Sequence, residues 1–254
     1  MRILCIGDVV GKIGCEFLRE KLPPLKRVKG IDLVVCNGEN SSDGNGITPA
    51  SADYLFDSGV DVITLGNHSF RRREAYEYLD TKPYIIRPAN FPSAPGFGSC
   101  VVDMGRVRVK VINLMGSLFM ENGLVNPFNL VDTLLDSDCK ITVVDFHAET
   151  TSEKLAMGYY LDGRVSVVFG THTHVQTSDD RVLEKGTGYI TDLGMTGPMN
   201  SVLGVKPEII IDKFKTCMPQ RFELRRDKCK LECVIFEVDD KTCKTILTER
   251  LRIV

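Results

Sequence analysis

Short runs of apolar residues recur along the first two hundred residues, and each is followed by a turn rich in Gly, Asn, Asp or His and then by a helical stretch. The runs are nearly continuous in apolar residues, which is typical of strands buried on both faces. They are Ile3 to Ile6, Leu33 to Cys36, Val62 to Leu65, Val107 to Asn113, Ile141 to Asp145 and Val165 to Phe169. Strands that alternate with helices predict a layered α/β fold.

Helix-start signals follow several of these turns. Thr48 before Pro49 offers an N-cap with proline at the first helical position, and Thr151 to Glu153 precede a helical stretch from Lys154 to Leu161. These positions place loops where the predicted strands end.

The tail beyond about Lys206 has a different pattern. It holds a helix-like segment from Glu208 to Lys215 and strand-like runs from Leu231 to Val238 and from Thr245 to Ile253, which could complete a second sheet. The sequence has no repeats, low-complexity segments or long linker. We therefore expect a single domain that spans residues 1–254.

Composition and charge exclude several classes of protein. The chain is 43% hydrophobic and 26% charged with a net charge of -2, which argues against nucleic-acid binding driven by bulk charge. The apolar start, Met1 to Ile6, gives way at once to Gly7 and Asp8, so neither a signal-peptide core nor a membrane span is predicted. We expect a cytoplasmic protein with no membrane partner that holds any acidic ligand in a local site.

The nine cysteines are odd in number, and several, such as Cys5 and Cys36, lie inside apolar runs as small hydrophobic residues. We interpret them as reduced thiols. A zinc site made from Cys217, Cys229, Cys233 and Cys243 is disfavoured, because two cysteines four apart in a strand lack the turn that thiolate sites use.

Polar residues follow the apolar runs at five places. The chain has four histidines, His68, His147, His172 and His174, and each comes directly after a run. Asp8, Glu39, Asn40 and Asn67 occupy corresponding positions. Because ligand sites in α/β sheets form at the carboxyl ends of strands, we expect these side chains to converge.

This set of carboxylates, amides and imidazoles without a thiolate suits manganese or iron, and zinc would also fit. Two metal ions about 3.5–4 Å apart need a bridging carboxylate, for which Glu39 is the candidate. In an extended segment, His172 and His174 would point to the same side, where a core would disfavour two polar rings. The alternative, that all these residues are turn residues and core histidines, explains the pattern poorly.

The basic run Arg71 to Arg73 is typical of a solvated helix face. Its position just after a candidate site leaves a phosphate-guiding role open.

Together these residues resemble the five motif blocks of the calcineurin-like metallophosphoesterases. The blocks are Gly-Asp, Gly-Glu-Asn, Gly-Asn-His, an isolated His and Gly-Thr-His-Thr-His. Longer strings narrow the resemblance to the bacterial YmdB-type subfamily, namely Gly7 to Gly11, Asp145 to Lys154, Gly170 to Gln176 and Thr191 to Pro198. The resemblance covers roughly the first two hundred residues, and the tail is less distinctive.

The resemblance implies a four-layer α/β metallophosphoesterase sandwich, in which two mixed β-sheets are flanked by helices and a dinuclear metal site lies at the strand ends. One ion would bind Asp8, Glu39, Asn40 and His174, and the other Glu39, Asn67, His147 and His172. The ions would be divalent or trivalent, iron or manganese first, with zinc or magnesium as alternatives. The chain departs from the wider superfamily at Val10, where a histidine is usual, and at Glu39, where an aspartate is usual. The YmdB-type subfamily shares both departures, with Asn40 in the vacant place, which leaves the metal's identity open.

The implied activity is that of a metal-dependent phosphodiesterase, which hydrolyses 2′,3′-cyclic nucleotides or similar small phosphodiesters through a metal-activated hydroxide. His68 would be the general acid: neighbours in an extended segment point to opposite sides, so Asn67 can bind metal while His68 reaches the leaving oxygen. A supporting role for His68 behind a ligand is the alternative.

Two other functions stay open. They are a phosphomonoesterase or nucleotidase with the same site, and a regulatory protein that responds to nucleotides without turnover. The sequence also leaves open the physiological substrate, assembly into a homo-oligomer and any protein or RNA partner.

Overall fold

The computed structural model describes residues 1–121, 123–135 and 138–254. The strands are β1 (Arg2–Ile6), β2 (Asp8–Val9), β3 (Leu33–Asn37), β4 (Val62–Thr64), β5 (Ile85–Ile86), β6 (Ser99–Asp103), β7 (Arg108–Met115), β8 (Ile141–His147), β9 (Val167–Thr171), β10 (Arg181–Val182), β11 (Gly188–Ile190), β12 (Met195–Pro198), β13 (Cys229–Val238) and β14 (Thr245–Ile253). The helices are α1 (Gly11–Lys29), α2 (Pro49–Asp57), α3 (Tyr76–Thr81), α4 (Pro127–Leu134), α5 (Thr151–Leu161) and α6 (Pro207–Thr216).

The strands form two mixed sheets. In the first, the order is β2, β12, β13, β1, β3, β4, β5, and β14 pairs with the free side of β13. In the second, the order is β10, β11, β9, β8, β7, β6. The strands β1, β3 and β4 run parallel in the first sheet, and β7, β8 and β9 run parallel in the second. Their carboxyl ends therefore form an edge at which loops from both sheets can meet.

Alternate residues of each central strand supply different hydrophobic cores. In β1, Leu4 and Ile6 pack with Leu18 and Leu22 of α1, whereas Ile3 faces the second sheet. A third core lies between the second sheet and the helices α4 and α5. Since both faces of the sheets are covered, the nearly continuous apolar runs are explained, and the predicted four-layer α/β arrangement is confirmed.

All six predicted runs are strands, with ends shifted by one or two residues. The predicted start of α2 is also confirmed, because Thr48 Oγ1 accepts a hydrogen bond from the Ser51 amide. The helix α5 begins at Thr151, but its N-cap residue Thr150 makes no side-chain capping bond.

The tail contributes differently from our expectation. Its predicted strands exist, but they do not form a second sheet: β13 pairs antiparallel with β1 at the centre of the first sheet, and β14 lies beside it. The register places Cys233 opposite Ile6 and Ile235 opposite Leu4, so the last strands bury apolar side chains beside the first.

All nine cysteines lie within the described residues, and the structure joins none of them in a disulfide. Cys233 packs in the core between the first sheet and α1, while Cys217 is exposed at the end of α6. In the described part of the chain, no helix is both long and apolar enough to cross a membrane.

Candidate metal centre

The structure brings every predicted site residue to one edge, where loops of both sheets meet. Asp8, Glu39 with Asn40, and Asn67 with His68 follow β1, β3 and β4 of the first sheet. From the second sheet, His147 ends β8, and His172 and His174 follow β9. The carboxylates Asp8 and Glu39 and the ring of His147 are buried.

One group of side chains surrounds Asp8. The Asn40 amide nitrogen lies 3.4 Å from Asp8 Oδ1 and 3.2 Å from His174 Nε2. The distance from His174 Nε2 to Asp8 Oδ1 is 3.6 Å. Glu39 joins this group, because its Oε1 lies 3.3 Å from the Asn40 amide nitrogen.

A second group surrounds His147 and shares Glu39 with the first. His147 Nε2 lies 3.3 Å from Glu39 Oε1, 2.9 Å from Asn67 Oδ1 and 3.1 Å from His172 Nδ1. The ligand atoms of Glu39, His147 and His172 all lie within 4.8 Å of one another, which makes them the one cluster of three His, Cys, Asp or Glu residues found across residues 1–121, 123–135 and 138–254 that could hold a metal ion.

Glycine is required at Gly66 by close packing rather than by a turn. A Cβ atom at this position would lie 2.3 Å from His147 Nε2 and 2.5 Å from Glu39 Oε2. The β4 loop can therefore pass beside both side chains only without a side chain of its own.

The sequence analysis assumed an extended backbone in two places, at Asn67 and His68 and at His172 and His174. The structure shows that this assumption is wrong in both. Asn67 and His68 lie in a turn after β4, and both side chains face the site. His172 and His174 have φ values of 106° and 60°, in the left-handed region that residues other than glycine rarely adopt. Their rings reach the site because the backbone bends sharply after β9.

His68 is half-buried at the rim of the site. Its Nδ1 lies 2.7 Å from Asn40 Oδ1, and since an amide oxygen can only accept, Nδ1 carries the hydrogen in this arrangement. Its backbone amide donates to Glu39 Oε2 at 2.8 Å. Burial lowers the pKa of His68 below 6.5, although the charge of Glu39 opposes this shift.

The buried carboxylates make the site attractive to positive charge. Burial alone would lower the pKa of His147, but the charge of Glu39 and its hydrogen bond, with a further contribution from Asp8, raise this pKa to about 9. Burial alone would raise the pKa of Asp8, but the charge and hydrogen bond of His174, together with the charge of His147 and the His172 amide, lower it below its ordinary value. Burial and the nearby His147 lower the pKa of His172 to about 4.

Sequence reasoning missed the residues behind His147. Thr171 Oγ1 donates to Asp145 Oδ1 at 2.7 Å and lies 2.9 Å from His147 Nδ1. Because its single hydrogen goes to Asp145, Thr171 accepts from His147 Nδ1–H, so Nε2, which faces Glu39, is the nitrogen whose proton a metal ion would replace. Thr64 donates to the other Asp145 oxygen. Burial raises the pKa of Asp145 to about 7.

A signal for Asp145 was present in the sequence. It is a charged residue inside an apolar run, and such residues are rarely buried without partners. Glu149 was also missed: its Oε2 lies 2.8 Å from His172 Nε2, on the side of the ring that faces away from His147.

Two residues of the basic run Arg71 to Arg73 make different kinds of contact. Arg72 Nε donates to the Asn45 carbonyl at 3.0 Å and so braces the loop that follows Asn40. Arg71 is exposed, and its guanidinium lies 3.7 Å from Glu121. Arg72 thus has a structural role.

The donor set fits metal ions. The nitrogen of His147 that faces the cluster is Nε2, and Nδ1 is held from behind by Thr171, as is usual for metal-binding histidines. Asn67 presents its amide oxygen to the cluster. Carboxylate oxygen, amide oxygen and imidazole nitrogen are ligands for first-row transition metals.

Comparisons with known proteins identify relatives of the chain. A family model described as YmdB-like protein matches residues 4–251. A Bacillus subtilis (strain 168) protein named 2′,3′-cyclic-nucleotide 2′-phosphodiesterase is 46% identical over 257 residues, with 100% of this chain and 97% of that protein covered.

Two solved structures share the fold over the whole chain. A phosphatase from Mycoplasma pneumoniae is 38% identical with a TM-score of 0.95, and 100% of this chain and 93% of that chain are covered. A protein from Thermus thermophilus is 36% identical with a TM-score of 0.94, and 100% and 99% are covered.

Proposed function

The chain belongs to the YmdB-like family, and from that membership and the site geometry we propose that it is a phosphodiesterase with two metal ions that hydrolyses 2′,3′-cyclic nucleotides or similar small phosphodiesters. The observation that carries the proposal is the convergence of oxygen and nitrogen donors in two groups that share Glu39. A shared carboxylate is the arrangement that a pair of metal ions needs.

Seven residues would hold the ions. The first group is Asp8, Glu39, Asn40 and His174, and the second is Glu39, Asn67, His147 and His172. When bound, such ions supply Lewis-acid polarisation of the phosphoryl oxygens and acidify water. Iron and manganese suit this donor set, and zinc or magnesium are the alternatives.

Asn40 links the first group to His68. Its Oδ1 faces His68 and its Nδ2 faces Asp8, whereas a metal cation takes the oxygen of an amide. For Asn40 to bind a metal ion, its side-chain amide must therefore be turned over, so that Oδ1 faces Asp8 and Nδ2 faces His68. Its Nδ2 would then face His68 Nδ1, and the Nδ1–H of the protonated ring that an acid needs would point to Glu39 Oε1, 3.5 Å away.

We assign His68 as the general acid, which gives a proton to the departing ribose oxygen. Its position at the rim supports this role, because the ring is 28% exposed while the other site histidines are more deeply covered. Its contact with Asn40 fixes the orientation of the ring.

The test compares substrates and variants. With Mn²⁺ present, we expect the full chain to turn over a 2′,3′-cyclic nucleotide faster than a nucleoside monophosphate, and Glu39→Gln to abolish this activity and lower the metal content. Faster turnover of the monophosphate would favour the phosphomonoesterase alternative. A metal-loaded protein that hydrolyses neither ester would favour the regulatory alternative, and full activity with both metals in Glu39→Gln would refute the bridging assignment.

A further inference from the structure

A buried ion pair lies beside the site and has no role in the chemistry proposed above. Lys154 of α5 and Asp192, which follows β11, have side chains that are each 1% exposed, and Lys154 Nζ lies 2.7 Å from Asp192 Oδ2. Lys154 ends the string Asp145 to Lys154 and Asp192 lies in the string Thr191 to Pro198, but the candidate metal centre gives neither residue a role. A buried charge pair is weak evidence for stability, so its position calls for another reason.

Asp192 is bonded to the bend between the two adjacent histidines of the site. Its Oδ2 accepts a hydrogen bond of 3.0 Å from the backbone amide of Thr173, which lies between His172 and His174. Both histidines have positive φ values, and such a backbone persists only where its surroundings hold it. The hydrogen bond between Thr173 and the Asp192 carboxylate is one restraint of this kind.

The second Asp192 oxygen reaches the Asp8 loop. Oδ1 accepts from the Gly194 amide at 2.9 Å, and the Gly194 carbonyl accepts from the Asp8 amide at 3.1 Å. Asp8 and His174 contact each other in the site. The Asp192 carboxylate thus bonds to the backbone beside His174 directly and to the backbone of Asp8 through Gly194.

Lys154 fixes Asp192 from behind by charge and by packing. Its alkyl chain fills the place of a side chain at Gly170, where a Cβ atom would lie 2.8 Å from Lys154 Cδ and 1.9 Å from the Thr191 carbonyl oxygen. Substitution of Lys154 by an apolar residue would leave the Asp192 charge buried without its counter-ion.

We propose that Lys154 and Asp192 are positioning residues of the candidate metal centre, which set the backbone that presents Asp8, His172 and His174. This inference rests on the proposed metal-dependent function. Neither residue contacts the reacting atoms, so both act through the two loops.

The test uses the full chain with Lys154→Met and Asp192→Asn. Amide hydrogen exchange at Thr173 is measured by NMR after chelator treatment, and Mn²⁺ binding is measured by calorimetry. Asp192→Asn keeps the shape of the side chain but replaces one acceptor oxygen with a donor, so it remains informative if Lys154→Met does not fold. The control is Lys26→Met, since Lys26 bonds the Gly59 carbonyl at the opposite edge of the sheet.

We expect Thr173 exchange to rise about 10-fold or more and the Kd for Mn²⁺ to rise about 10–100-fold in both variants, with little change in the control. Folded variants with unchanged exchange, or with the Mn²⁺ affinity of the control, would overturn the inference, as would loss of the fold in both. If the wild-type chain binds no Mn²⁺, the metal-dependent function fails, and Thr173 exchange alone then shows whether the ion pair holds the loop. If His172→Ala binds Mn²⁺ unchanged, only the ligand role of His172 fails.

Discussion

Replacement of Thr171 by valine tests whether the residues behind His147 prepare it for metal binding. Valine keeps the shape of threonine but removes the hydroxyl that bonds Asp145 at 2.7 Å and His147 Nδ1 at 2.9 Å. The two shortest hydrogen bonds are then lost: the buried carboxylate loses a donor, and the buried imidazole N–H loses its acceptor. The Asn37 amide, which donates to the same hydroxyl at 3.4 Å, loses a longer contact.

The magnitude follows from these two losses. Above the Asp145 pKa of about 7, a hydrogen bond to the charged carboxylate contributes about 1.5–3 kcal/mol, and a buried donor without a partner costs about 1–3 kcal/mol. Because the losses share one atom, we expect Thr171→Val to lower the free energy of unfolding by about 2–4 kcal/mol. Without the bond at Nδ1, His147 is no longer held in one tautomer, and metal affinity should fall about 10–100-fold.

Thr64→Val is the matched control. Thr64 is also fully buried and donates to the other Asp145 oxygen, but no hydrogen bond joins its hydroxyl to His147 within the residues that the structure describes. We expect it to lower stability by about 1.5–3 kcal/mol and to change metal affinity little. The free energy of unfolding is measured by urea denaturation of the chelator-treated chain. Metal affinity is measured by Mn²⁺ titration under conditions in which each variant stays folded. Equal metal affinities of the two variants would refute the reasoning.

Three further predictions concern the site itself. His68→Ala should keep its fold and metal but lose about 10²–10⁴-fold in turnover of a ribonucleotide ester, and much less with a nitrophenyl ester that departs without a proton; equal losses would remove His68 from the acid role. Mn²⁺ affinity should rise with pH by about 10-fold per unit up to a pKa of about 9, because a metal ion must displace the proton that the carboxylates hold on His147, and a flat calorimetric profile between pH 6 and 8 would contradict this. Gly66→Ala should lose metal binding and about 1–3 kcal/mol of stability in the same titrations, since its Cβ would lie 2.3 Å from His147 Nε2, and normal metal content would disprove the close approach.

The strand ends could be predicted from the sequence because burial on both faces leaves a simple mark. The run from Ile141 to Asp145 is apolar since α5 and the first sheet cover its two sides, and the polar residue that follows a buried strand then identifies the edge. The assembly of the site residues at one edge followed from this pattern. Their roles as metal ligands stay predictions.

Other features depend on contacts that the sequence does not encode locally. The left-handed backbone of His172 and His174 is held from outside the loop by Asp192, so an extended segment was the natural but wrong expectation. The pairing of β13 with β1 joins residues more than two hundred positions apart, which left the tail without a visible partner. In the sequence, Asp145 resembled the polar residue that ends a strand. The two hydroxyl groups that allow its burial inside β8 lie on other strands, so nothing near Asp145 in the sequence indicates them.

The most direct test of the account is anomalous X-ray scattering from crystals of the Mn²⁺-loaded chain. We predict two anomalous peaks at the carboxyl edge of the two sheets, both within ligand distance of the Glu39 carboxylate, with His174 on one and His147 on the other. A single peak, or two peaks of which only one contacts Glu39, would contradict the shared-carboxylate centre on which the proposed phosphodiesterase activity rests.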